Sequence, residues 1–206
     1  MKNSKQQTQS SLRSRHNYIR IIAITGLLVA LSVVIGWLCK TYLTFGVNRI
    51  TFENTPVFIS GMVYGPIVGI IVGVLSDIIS CLISPNPSLN PIITLGAGVI
   101  GALSGIIPRY IIKNGEKLKI WVTVFFSHII GSMIIKSIGL YVSTIIESVG
   151  LHGFFEYGLE VLVLFFKYGL GILAGRILLY IGIAVCESII IYAILKNKNI
   201  KKMLGK

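Results

Sequence analysis

Seven polar residues stand inside or at the rims of long apolar stretches: Arg49, Glu53, Asn54, Asp77, Asn90, Lys136 and Arg176. An ionised side chain in the middle of a bilayer costs about 3 kcal/mol on insertion scales, so such groups face a cavity or each other. Counted along helices from the same side of the membrane, Asp77 and Arg176 lie about two turns deep and Lys136 about three. Arg49, Glu53, Asn54 and Asn90 belong to the chain entering or leaving that side. Two readings follow: a network of charges neutralising each other, or a pocket open to the outside. Glu187 stands apart in the other half, within reach of Arg109 or Lys113 if their helices are neighbours, and reads as structural or as a partner contact.

The same residue types exclude several kinds of catalysis. No Gly-x-x-x-x-Gly-Lys-Ser/Thr loop is present, so the chain has no phosphate cradle of that type for ATP. Asp77 is the only aspartate, which removes a paired-aspartate protease. Ser127 and His128 are adjacent, but neighbours on a helix point about 100 degrees apart and do not form a nucleophile and base. Gly101 to Gly105 lacks the Gly-x-Ser-x-Gly order. His16, His128 and His152 do not cluster by spacing into a metal site. Cys39, Cys81 and Cys186 lie in apolar runs and read as small hydrophobes. No enzyme, cofactor or metal is expected.

What must position the polar residues is lipid-embedded helix. Mean hydropathy is +0.84, and of the 206 residues 54% are hydrophobic and 13% charged, against roughly 25% charged in soluble domains. The net charge of +12 gathers at the two termini and in the loop 113–119, where basic residues orient a membrane protein rather than hold nucleic acid. A hydrocarbon core about 30 Å thick needs on the order of 20 helical residues.

By that ruler the first span runs from Tyr18 to about Cys39, followed by a loop over 41–54 whose Tyr42, Phe45 and Phe52 read as interfacial anchors, with ligand platforms the alternative. A short second helix ends at Gly65, and Pro66 opens a third that reaches Ile83. The prolines at 85, 87 and 91 force an extended surface turn. A fourth helix reaches about Ile112, a fifth covers Ile120 to about Ile146, and a sixth runs from about Tyr168 to Leu195. Glu147 to Lys167 is apolar but carries Glu156, Glu160 and Lys167, and is expected as a partly interfacial loop and helix.

Six spans place both basic termini on one side, which the charge bias makes cytoplasmic. The expected fold is therefore all-α: a multi-pass protein of the cell membrane with six transmembrane helices in a compact bundle. Residues 1–17 form a basic cytoplasmic tail, 18–195 the membrane domain, and 196–206 a second basic tail.

Helices in lipid associate through small residues that let backbones approach. Gly65, Gly69 and Gly73 share a stripe with Asp77 on the third helix, and Ala97, Gly101 and Gly105 repeat the device on the fourth. Ala23, Gly26 and Ala30 form a smooth seam on the first helix, suited either to packing in the bundle or to a partner protein.

The stretch Arg49-Ile-Thr-Phe-Glu53-Asn54-Thr-Pro56, then Gly61-Met-Val-Tyr-Gly65-Pro66-Ile-Val-Gly69, Val74-Leu-Ser-Asp77 and Asn90-Pro91-Ile-Ile-Thr94-Leu-Gly96-Ala97 resembles the substrate-binding S component of energy-coupling factor (ECF) transporters. His128 to Ser137 and Arg176 to Glu187 fit the same group, and the likeness is greatest to its folate-type subunits. Where these often open helix four with an aromatic-rich Phe-Pro-Gly-Phe-Thr-like run, this chain has Leu89-Asn90-Pro91-Ile92-Ile93-Thr94.

The resemblance implies a vitamin-capturing subunit working with a transmembrane coupling protein and two ATP-binding subunits that spend the ATP. It implies that Ala23, Gly26 and Ala30 dock on that partner. On this reading Arg49, Lys136 and Arg176 pair with carboxylates of a folate-like anion, while Asp77 or Glu53 accepts hydrogen bonds from its ring. Pantothenate or another small vitamin or precursor is the alternative ligand, and a stand-alone carrier or structural membrane protein the alternative role.

Overall fold

The computed structural model describes residues 2–45, 48–84, 89–112, 115–143 and 170–198, together with 200 and 204; side chains of 2–17, 44–49 and 170–176 fall outside that description. Six helices appear among the described residues. Helix α1 spans Lys2–Tyr42, α2 Asn54–Tyr64, α3 Pro66–Leu82 and α4 Pro91–Ile106, which ends in a wider π-helical turn, Ile107–Ile111. Helix α5 starts as Glu116–Ser127, widens to a π-helix over His128–Ile135 and continues to Ser143. Helix α6 is Leu170–Lys196. The only strands among these residues are a two-residue antiparallel ladder, β1 Thr44–Phe45 on β2 Asn48–Arg49, in the connection after α1.

Four helical stretches are long and apolar enough to cross a membrane: Tyr18–Tyr42, Pro91–Ile111, Glu116–Ser143 and Ile177–Lys196. Helix α3 is apolar but shorter, with 17 residues, and α2 has 11. The chain is a membrane protein. Helix α1 continues backwards through the basic segment expected as a tail. The expected interfacial segment Glu147 to Lys167 lies outside the described residues.

The break between α2 and α3 follows from two residues. Gly65 has φ of 115°, a backbone region that residues with a Cβ rarely enter, and Pro66 supplies the preset first turn of α3. Arg109, carried by the π turn after α4, donates to the carbonyls of Gly61 at 3.1 Å, Gly105 at 3.2 Å and Val63 at 3.3 Å. A cation thus closes the C-terminal end of α2, where carbonyls lack helical partners. Arg109 is committed here and does not answer Glu187.

Helices α3 and α4 pack as an antiparallel zipper. A Cβ built on Gly69 would fall on the Gly101 carbonyl, one on Gly73 on the Ala97 carbonyl, and one on Gly105 on Pro66. Helix α2 joins through Gly61, whose missing Cβ leaves room for the Ser104 hydroxyl. The two small-residue stripes seen in the sequence are therefore facing halves of one contact. Around it Phe58, Val72, Ile100, Val124 and Ile191 are fully buried.

Helices α5 and α6 are joined to α2 by a buried polar cluster. His128 Nε2 meets Glu187 Oε2 at 2.5 Å, Thr55 Oγ1 donates to Glu187 Oε1 at 3.2 Å, and His128 Nδ1 lies 3.2 Å from Ser132 Oγ. His128 is 2% exposed and Glu187 not at all. Phe58 meets the His128 ring edge to face, with centroids 5.4 Å apart. Of the partners expected for Glu187, Arg109 is committed to α2 and Lys113 lies outside the described residues; among the described residues a histidine takes the place.

Candidate functional site

The α3–α4 zipper has one more rung beyond Gly73 and Ala97, and it is polar: Thr94 Oγ1 donates to Asp77 Oδ2 at 2.7 Å. The register that brings glycine against glycine delivers the aspartate to the edge of the packed contact. Four residues before Thr94, Asn90 caps α4: its Oδ1 accepts from the amides of Ile92 at 3.0 Å and Ile93 at 3.4 Å. Its Nδ2 donates to the Gly139 carbonyl at 2.7 Å, clamping α4 to α5. The structure thus commits the Asn90 side chain to backbone.

Glu53 stands immediately before α2, its amide bonded to Thr51 Oγ1 at 3.3 Å, and its carbonyl accepts from Ser32 of α1 at 2.6 Å. Its carboxylate meets Lys136 of α5 with Nζ to Oε1 at 3.7 Å, and each side chain is 14% exposed. Two glycines make space for the pair. A Cβ on Gly36 would come within 2.8 Å of Glu53 Oε2, and one on Gly96 within 2.9 Å of Lys136 Cγ. Hydrogen bonds in a π-helix run from i to i+5, so side chains four and five apart stay nearly aligned. That row carries His128, Ser132 and Lys136 inward together.

Between these groups lies a cavity of about 10 Å³, lined among others by Ser32, Glu53, Asn54, Asp77, Ser80 and Lys136. This is space for about one water. Asn54 is 3% exposed, and among the described residues no side chain bonds its amide. Asp77 has Thr94 as its hydrogen-bond donor and no cation within ion-pair distance among the described residues. The site therefore presents an ammonium held by one carboxylate at a loose 3.7 Å, a second carboxylate with acceptor capacity to spare, and an open amide. Such a set suits a ligand carrying both an anionic group and ring N–H donors.

Of the seven residues picked from the sequence, Glu53, Asn54, Asp77 and Lys136 share this cavity, and Asn90 braces it from the α4 cap. Arg49 is in β2 and Arg176 in α6; their side chains lie outside the described residues. Ser32, Ser76 and Ser80 also line the cavity and were not picked. The signal for the last two was available: Gly73, Ser76, Asp77 and Ser80 follow the 3, 4, 7 spacing of one helix face. The seam Ala23, Gly26 and Ala30 is exposed throughout, with nothing within 4 Å of a Cβ built on Gly26.

A family model described as "ECF transporter, substrate-specific component" matches residues 20–206. The chain belongs to that family. S components are substrate-binding transport subunits rather than enzymes, and the polar cavity among apolar helices is read in that light. A solved structure described as "Crystal structure of FolT bound with folic acid" superposes with a TM-score of 0.49 at 21% identity, covering 79% of this chain and 95% of that one. No curated protein matches the sequence.

Proposed function

We propose that this S component captures a folate-like anion from outside the cell and delivers it through an ATP-driven coupling module. The observation that carries the reading is the convergence of Glu53, Asn54, Asp77 and Lys136 on one inter-helical cavity at the end of the bundle where α1 finishes and α2 and α4 begin. The cavity has room for about one water, so ligand entry parts its walls and exchanges the Glu53–Lys136 contact for a contact between Lys136 and a ligand carboxylate. Asp77 and the open Asn54 amide then meet the ring donors and acceptors. Arg49 and Arg176 are proposed as further cations for the anionic tail.

The wider setting belongs to the same proposal. The six helices are six spans of the cell membrane with both termini cytoplasmic, supported by the basic residues at the ends of α1 and α6 and beside Gly115. A transmembrane coupling subunit docks on the exposed Ala23, Gly26 and Ala30 seam, and two ATP-binding subunits supply the energy.

Calorimetric titration of the purified protein tests the ligand. Saturable heat with folates, lost in Lys136→Ala while the melting temperature holds, supports the reading. No heat with folates but saturable binding of pantothenate or another vitamin overturns the folate assignment and leaves the capture role. Uptake by the chain alone in vesicles without ATP overturns the modular transporter in favour of a stand-alone carrier.

A further inference from the structure

A second cavity, of about 290 Å³, opens at the opposite end of the bundle and is far larger than the one beside Asp77. Its polar lining is Arg109, Glu116, Lys119 and Lys196, three cations against one carboxylate. Its apolar lining includes Ile120, which is buried, and Tyr192. The charged residues come from the end of α4, the start of α5 and the end of α6, which are the limits of the membrane-crossing stretches Pro91–Ile111, Glu116–Ser143 and Ile177–Lys196, while Met62 and Val63 of α2 and Leu204 complete the wall. The cavity therefore lies at the level of lipid headgroups.

Three features say what would enter it. Among the described residues neither the Lys119 nor the Lys196 ammonium is held in an ion pair; Lys196 rests 5.7 Å from the Tyr192 ring centroid, as Lys117 does at 5.5 Å. The first turn of α5, which supplies Glu116 and Lys119 to the lining, is preceded by Gly115, a residue with no side chain to cap it. The apolar wall adjoins the cations, an arrangement that serves an amphiphile better than a free ion. Basic pockets between transmembrane helices recognise phosphate headgroups by this chemistry.

We propose that this cavity binds a phosphate-bearing headgroup, that of an anionic phospholipid, seated between Lys119 and Lys196 with the first acyl carbons over Ile120. The site is separate from the Asp77 cavity and does not depend on which vitamin that cavity takes. On the proposed orientation the lipid belongs to the inner leaflet.

Native mass spectrometry of the delipidated, full-length protein tests it, with phosphatidylglycerol, phosphatidylcholine, glycerol phosphate and inorganic phosphate as probes. The expected result is retention of one phosphatidylglycerol at least fivefold above phosphatidylcholine. Lys119→Gln with Lys196→Gln should remove that preference while the melting temperature stays within 2 °C. Arg20→Gln with Lys198→Gln, which deletes as much charge at exposed residues outside the cavity lining, should keep it. Displacement of the lipid by millimolar glycerol phosphate or phosphate assigns the site to a free phosphate compound instead and overturns the lipid as occupant. Equal retention of both lipids, or equal loss in the two double variants, overturns the site itself.

Discussion

Replacing His128 by leucine tests what joins α5 and α6 to the rest of the bundle. Glu187 has two partners, His128 Nε2 at 2.5 Å and Thr55 Oγ1 at 3.2 Å, and is wholly buried. His128→Leu fills much of the ring's volume but leaves the carboxyl group with one hydroxyl donor in an apolar surround. Breaking a buried charge-assisted pair from one side costs about 3–5 kcal/mol. At roughly 2–4 °C per kcal/mol for a chain of this size, the melting temperature falls by roughly 6–20 °C. The double variant His128→Leu with Glu187→Met removes both polar groups and recovers most of the loss, since an apolar replacement of a buried pair is often neutral. Melting in detergent of the parent, both single variants and the double variant, followed by fluorescence of Trp37 and Trp121, gives the values needed for a double-mutant cycle. A single variant that melts within 2 °C of the parent, or a double variant that melts below the single, would refute the reasoning.

Three further outcomes follow from other contacts. Gly101→Leu drives a side chain into the Gly69 backbone and should abolish recovery of monodisperse protein, while Gly26→Leu, with open space at its Cβ, should leave yield and melting unchanged on size exclusion. Asn90→Ala loses the α4 cap and the clamp to Gly139; chemical or thermal denaturation should show a loss of about 1–2 kcal/mol. Thr94→Val takes the hydroxyl donor from Asp77 at nearly constant volume, so ligand affinity measured by calorimetry should change by roughly tenfold, about 1.4 kcal/mol, with melting of the empty protein shifted by only a few degrees.

Much of this architecture is legible in local sequence. Gly65-Pro66 marks the break between α2 and α3, because one residue allows a backbone the other then locks. The stripes Gly65, Gly69, Gly73 and Ala97, Gly101, Gly105 announce a close approach, although not that the two stripes meet each other. Asp77 continues the first stripe, and there it meets Thr94 across the α3–α4 contact. The His128–Glu187 pair was not foreseen: 59 residues separate the two, and their meeting depends on how α5 crosses α6. The π-helix at His128–Ile135 is equally silent, since its bond register leaves no mark in the pattern of apolar residues. In the sequence Arg109 reads as a candidate partner of Glu187; its reach onto α2 appears only once the Gly65 turn has brought that helix end beside it.

The glycine zipper also has a mechanical meaning. Backbone in contact with backbone has no side-chain rotamers to yield, so α2, α3 and α4 behave as one stiff slab. A ligand cannot wedge into that slab. The compliant seams around the Asp77 cavity are the ones bridged by long side chains: Glu53 to Lys136 on the α5 side, and Lys40 to the Ser80 carbonyl at 3.3 Å on the α1 side. On the proposed function, opening for a substrate would swing α1 and α5 away from that wall, with the Lys136 and Lys40 bridges the contacts to be released.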